Sequence, residues 1–308
     1  MAISSEIVSF GGWENNLALS NDHCELLITL DVGPRILSFA INGKPNVFKV
    51  FKDQTGGTGE DLWMSRGGHR LWLAPESYPH SYFPDNESVD YTLHPNGGVT
   101  LISTDEMPQG FSKQLDINLA PDAARVRVVH RIVNVVDEEQ EVAAWALSVM
   151  APGGTAIIPQ PRPHAHPGTG PGDFAPNRSL IVWPFTDLSD SRFHLGKKYW
   201  TVAHDAKRGA TKIGLNYPTD WAGYHNGDTL FVKRFEHDKN ATYPDRNSNI
   251  EIFANEEILE LETLGPLTKL KPGGTLEWVE EWELFAGVPR FNPTNETAIA
   301  EALAGLEL

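Results

Sequence analysis

Apolar and polar residues exchange places at every second position over many short stretches of this chain. A period of two is the mark of strands, whose successive side chains point to opposite faces of a sheet. The pattern predicts strands at 24–30, 35–41, 99–103, 114–119, 125–133, 142–149, 180–183, 229–235 and 249–253. Turn formers separate them: Asn42-Gly43 and Asn226-Gly227 supply residues that accept the positive φ of a tight hairpin. The acidic stretch Asp137-Glu138-Glu139 reads as the loop of a further hairpin. Helical periodicity is confined to the tail, where Asn292-Pro293 can cap and start a helix through Ala298, Ile299, Ala302 and Leu303. The Pro/Gly-rich run 152–176 is the longest loop-like segment, and no solenoid or propeller repeat is visible. The expectation is an all-β chain: two large, mostly antiparallel sheets packed as a sandwich, with a short C-terminal helix, forming a single domain over 1–308.

The sharpest alternation lies near the C-terminus. Leu259 and Leu261 fall on one face; Ile258, Glu260, Glu262 and Leu264 fall on the other. After Pro272-Gly273-Gly274 a returning strand sets Leu276, Trp278, Trp282 and Leu284 on a single face, so 257–284 is expected to form a hairpin. Two carboxylates among apolar neighbours are either a solvated face or an acid–base site.

Composition narrows the function. With 25 basic and 41 acidic residues in 308, the formal charge is −16, which sets the surface against nucleic acid and anionic membranes. One cysteine, Cys24, allows no intrachain disulfide. No basic segment followed by an apolar stretch opens the chain, and no apolar run is of membrane-spanning length, so a cytoplasmic location is expected. Dinucleotide, Walker-type and Gly-x-Ser-x-Gly motifs are missing, and no cofactor is expected.

Three constellations carry candidate chemistry. In 66–76, Arg66, His69 and Arg70 surround a Gly-Gly pair, with Trp72, Trp63 and Glu76 close by. Indole faces suit the C–H faces of a pyranose and the polar groups suit its hydroxyls; the plainer reading is a surface loop with paired arginines. His164-Ala165-His166 has the spacing of two metal ligands, but no acid follows until Asp173, so no metal is assigned and the pair reads as polar groups for a sugar site or a general acid. Lys233 alternates onto the face of Phe231 and Phe235, where it either pairs with Glu260 or Glu262 or snorkels over the rings.

Together these residues resemble the galactose mutarotase-like superfamily, which includes aldose 1-epimerases and hexose-6-phosphate mutarotases. The resemblance rests on Gly33-Pro34-Arg35-Ile36-Leu37-Ser38-Phe39 before Asn42-Gly43, on Arg66–Glu76 with its Gly-Gly and Pro75, and on Leu259–Glu262 before Gly265-Pro266 and Leu270-Lys271-Pro272-Gly273. It implies a β-supersandwich with a cofactor-free sugar site, in which a C-terminal glutamate takes the anomeric hydroxyl proton and a histidine protonates the ring oxygen. Glu262 falls at the glutamate's motif position. The family's central-strand histidine has no counterpart in Ala146-Leu147-Ser148-Val149-Met150, so His164, His166 or His69 is expected to stand in. Arg35, Arg66, Arg70, Trp72, Glu76, His166, Lys233 and Glu260 are the expected substrate-binding residues, and a small sugar or glycan the expected partner. Non-catalytic carbohydrate binding, or an accessory role beside a glycan lyase or hydrolase, are the alternatives.

Overall fold

The computed structural model describes residues 3–104, 110–161, 175–216 and 218–308. Among them the chain forms one sheet of eleven strands and another of ten. The centre of the larger sheet runs, in spatial order, Arg35–Ile41, Gly68–Ala74, Gln140–Met150, Leu259–Leu264, Ile250–Ala254 and Thr211–Leu215, all pairing antiparallel. The centre of the smaller sheet runs Trp221–Asn226, Thr229–Arg234, Thr275–Ala286, Arg125–Asn134 and Phe111–Leu119, again antiparallel. A helix, Glu296–Ala302, closes the chain. The sandwich expected from the alternation is therefore present. No helix among the described residues is long and apolar enough to cross a membrane.

Period-two patterning explains which faces meet. Leu26, Ile28, Leu71, Ala146, Leu259 and Leu261 of the larger sheet pack against Leu115, Val126, Val128, Trp278 and Trp282 of the smaller in one continuous core. Each large side chain taken fully out of water contributes about 1.5–3 kcal/mol, so this interface dominates the fold's stability.

Two expected hairpins are instead crossings between the sheets. Leu259–Leu264 lies in the larger sheet and Thr275–Ala286 in the smaller, so 257–284 is not a hairpin. Likewise Arg125–Asn134 and Gln140–Met150, on either side of the acidic loop, belong to different sheets. Alternation reports which face of a strand is apolar but not which strand lies beside it. The hairpin at Asn226-Gly227 does form, with Asn226 opposite Thr229 and Gly227 at φ 67°. The terminal helix starts later than expected, capped by the Asn295 side chain, which accepts from the Thr297 and Ala298 amides.

The Gly-Gly segment is a strand entry rather than a ligand loop. Arg66, Gly67 and Gly68 have φ of 54°, 84° and 73°. A Cβ on Gly67 would stand 2.0 Å from the Lys49 carbonyl oxygen, and one on Gly68 2.2 Å from that of Ile36. The glycines admit the chain's own backbone, and Gly68–Ala74 follows as a fully buried strand.

Candidate functional site

On the face of the larger sheet turned away from its partner, strand register sets polar residues in rows. Arg35 pairs with Arg70, Arg70 with Leu147, Leu147 with Glu262 and Glu262 with Glu251. One step along, Lys212 pairs with Phe253, Phe253 with Glu260 and Glu260 with Val149. A third row is apolar: Trp72, Trp145 and Leu264. Residues directly opposite share a face, so six strands bring these groups together from positions as far apart as 35 and 262.

Over these rows lies a cleft of about 470 Å³, lined by Trp63, Arg70, Trp72, Tyr82, Trp145, Leu147, Trp183, Lys212, Glu260 and Glu262, with Glu76 and Glu257 also contributing. Trp63, Trp72 and Tyr82 meet edge-to-face with ring centroids 5.0–5.6 Å apart. The Arg70 guanidinium lies over the Trp72 ring at 4.5 Å and the Trp63 ring at 5.4 Å, and its Nη2 donates to Glu260 Oε1 at 3.0 Å. The Tyr82 hydroxyl donates to Glu76 Oε1 at 2.5 Å.

Glu262 is fully buried beneath the cleft. Its Oε2 accepts from Trp145 Nε1 at 2.8 Å and from Lys212 Nζ at 3.0 Å, while Oε1 has no hydrogen-bond partner. Lys212 also reaches Glu251 at 2.6 Å and sits between the Trp145 and Trp183 rings. Burial raises the Glu262 pKa, against the opposing pull of Lys212. Burial pushes Glu251 up to about 8, again against Lys212. Lys212 would be lowered by burial alone, but Glu262 and Glu251 outweigh that and hold it above the usual lysine range. The trio is a buried ammonium shared between two carboxyls; both keep an oxygen without a hydrogen-bond partner, and of the two only Glu262 lines the cleft.

The other expected residues divide by the strand face they occupy. Arg70, Trp72, Glu76, Glu260 and Glu262 line the cleft. Arg35 is on the same face but buried, donating to the Ser65 and Gly67 carbonyls at 2.7 Å each. Arg66 is also spent on structure, donating to the Gln54 carbonyl at 2.7 Å, to Asn86 Oδ1 at 2.9 Å and to Glu60 at 2.5 Å. His164 and His166 lie outside the described residues.

His69 and Lys233 are corrections: both point between the sheets, away from the cleft. His69 follows Gly68 and precedes Arg70, so alternation turns it inward, where its Nε2 is 2.7 Å from His130 Nε2 and its Nδ1 2.8 Å from Ser148 Oγ. His130 Nδ1 lies 3.0 Å from the Trp278 carbonyl and must donate to it, which leaves His130 Nε2 as acceptor and His69 Nε2 as donor. His130 is thus neutral, and burial lowers the pKa of both rings. Lys233 donates to Glu280 at 3.0 Å and to the carbonyls of Leu261 and Ala146 at 3.2 and 3.3 Å, with both charged groups fully buried. Its expected pairing with Glu260 or Glu262 is excluded because those carboxylates leave the opposite face of the sheet. His69, His130 and Glu280 lie within 4.8 Å of one another, a spacing that a metal could bridge. The two rings already bond each other and Glu280 already holds Lys233, so the present arrangement is a closed hydrogen-bond network.

Lys212, Glu251 and Trp145 were not expected at the site. Lys212 stands in Thr211-Lys212-Ile213-Gly214-Leu215, a lone charge in a short strand segment, which is a weak signal until its strand partners are known. A larger recess, about 590 Å³, lies against the smaller sheet at Arg127, Phe235, His237, Tyr243 and Trp278, but none of its carboxylates is buried. The cleft over Glu262 is the stronger candidate for chemistry.

No family model and no curated protein matches the chain. Solved structures do. A galactose mutarotase-like protein from Lactobacillus casei ATCC 334 superposes over 88% of this chain and 100% of its own, with TM-score 0.59 and 12% identity. A candidate aldose 1-epimerase from Escherichia coli K12 superposes over 87% of this chain and 98% of its own, with TM-score 0.54 and 12% identity. A TPR-domain containing protein from Parabacteroides distasonis ATCC 8503 matches 95% of this chain but 49% of its own, with TM-score 0.59 and 14% identity. The fold is galactose mutarotase-like.

Proposed function

We propose that the chain, as one domain over 1–308, binds a sugar in the cleft over Glu262 and interconverts its anomers without a cofactor. The observation that carries this reading is the free Oε1 of a fully buried carboxylate on the cleft lining, framed by indole and phenol rings. Rings of this kind pack on pyranose C–H faces, and burial raises the carboxylate's basicity. In the reaction Glu262 takes the proton from the anomeric hydroxyl. The O–H electrons form the C1=O1 double bond, the C1–O5 bond breaks, and O5 takes a proton. Rotation about C1–C2 and the reverse steps deliver the other anomer. The proton on O5 comes from His164 or His166, or from solvent in the alternative, while Lys212, hydrogen-bonded to the second oxygen of Glu262, holds that carboxylate in place. The His164→Ala/His166→Ala double variant separates the two, since it abolishes turnover only if a histidine is the acid. The cofactor-free chemistry and acidic surface fit a cytoplasmic enzyme acting on a small soluble sugar.

Carbohydrate binding without turnover is the second reading, favoured by the lack of any imidazole on the described cleft lining. Two-dimensional NMR exchange between anomers across a panel of aldoses decides: faster exchange than in buffer supports the enzyme, saturable binding with buffer-rate exchange supports the binding protein, and the absence of both exchange and binding overturns the carbohydrate assignment.

A further inference from the structure

The charged groups of the cleft also point to a sugar class. The arginines that would grip an anionic sugar are already committed. Arg66 is fully buried against Glu60, Asn86 and two carbonyls, and Arg35 is buried against the Ser65 and Gly67 carbonyls. The two cations that do line the cleft face carboxylates and rings: Arg70 pairs through Nη2 with Glu260 and lies over Trp72, its Nε and Nη1 buried without a hydrogen-bond partner, and Lys212 is held by Glu251, Glu262 and Trp145. On the acidic side, four carboxylates line the cleft: Glu76, Glu257, Glu260 and Glu262. Glu257 has no ion-pair partner among the described residues, Glu76 is met by a phenol hydroxyl rather than a cation, and Glu262 Oε1 is buried and unpartnered. Tyr82 and Trp63 add aromatic faces, which attract an ammonium group as well as a sugar ring.

Resting on the carbohydrate reading above, we infer that the cleft selects a cationic sugar, a pyranose bearing a free ammonium group, and disfavours phosphorylated and uronic sugars. A phosphate or carboxylate entering here meets four carboxylates against two cations, each of which already faces a carboxylate. An ammonium meets carboxylate oxygens and ring faces, and the protein's formal charge of −16 favours its approach.

Calorimetric titration of the full chain with the gluco and galacto series tests this, comparing each hexosamine with its N-acetyl derivative, the parent hexose, the 6-phosphate and the uronate. The hexosamine is expected to bind roughly five- to tenfold more tightly than the parent hexose at low salt, the size of one or two partly exposed ion pairs. The advantage shrinks at high salt and disappears on N-acetylation. The variant Glu76→Gln/Glu257→Gln should lose the advantage, read as the ratio of hexosamine to parent-hexose affinity within the same variant. Equal or tighter binding of the neutral or anionic sugars overturns the inference and leaves the carbohydrate reading standing. Failure of every sugar to bind overturns both.

Discussion

Glu262 and Lys212 are joined beneath the cleft: Lys212 Nζ lies 3.0 Å from Glu262 Oε2, and Glu262 Oε1 has no partner. One oxygen of the carboxylate is thus anchored and the other is open to substrate. Their meeting depends on register, because Glu262 stands opposite Glu251 and Lys212, on the next strand, bridges the two.

Replacing Lys212 by Met should leave two buried carboxyls without their cation. Breaking a buried pair in this way costs about 3–5 kcal/mol, read as a lower urea midpoint. The same change raises Glu262 further, so the acid limb of any pH–rate profile moves to higher pH. A variant as stable as the parent, with an unmoved limb, contradicts the role given to Lys212.

Glu251 gives a pH signature of stability. Its folded pKa, about 8, exceeds the ordinary glutamate value of 4.5, so the folded state favours the protonated carboxyl. The contribution of this group is complete below pH 4.5 and is lost as pH rises toward 8, with a limiting slope of roughly 1.4 kcal/mol per pH unit. Glu251→Gln cannot titrate there. The stability of the parent relative to Glu251→Gln should therefore decline from pH 4.5 to 8, measured by urea unfolding at each pH; a flat or rising difference contradicts the assignment.

Between the sheets, Lys233 and Glu280 form a fully buried pair. Lys233→Met should destabilise by about 3–5 kcal/mol by leaving Glu280 unpaired, and Lys233→Met/Glu280→Gln should recover much of that loss. Chemical denaturation of the two variants checks it. Because the pair lies on the inner face, neither sugar binding by the folded protein nor its pH profile is expected to change.

The face of each C-terminal residue was legible in the sequence. Glu260 and Glu262 share the cleft face and Leu259 and Leu261 the core, as a period of two requires. Strand partners were not legible: alternation says nothing of whether the next strand joins the same sheet, which is why Leu259–Leu264 and Thr275–Ala286 were expected to pair and do not. His69 and Arg70 show the limit at single-residue scale. They are neighbours in a segment whose Gly-Gly suggested a loop, yet the segment is a strand, and one side chain turns to the core while the other turns to the cleft. Lys212 and Glu251 escaped notice because each sits on a mostly apolar strand and gains meaning only from the partner that register sets beside it.

The most direct measurement is anomer exchange by NMR for the parent and for Glu262→Gln, with sugar affinity measured on the same samples. The amide keeps the shape and the Trp145 contact but cannot accept the anomeric proton. Loss of a general base should slow exchange by about a hundredfold or more toward the buffer rate while binding persists. In the parent, exchange should also fall on the acid side of the raised Glu262 pKa, above the ordinary glutamate value of 4.5. Exchange in Glu262→Gln as fast as in the parent would contradict the assignment of Glu262 as the base.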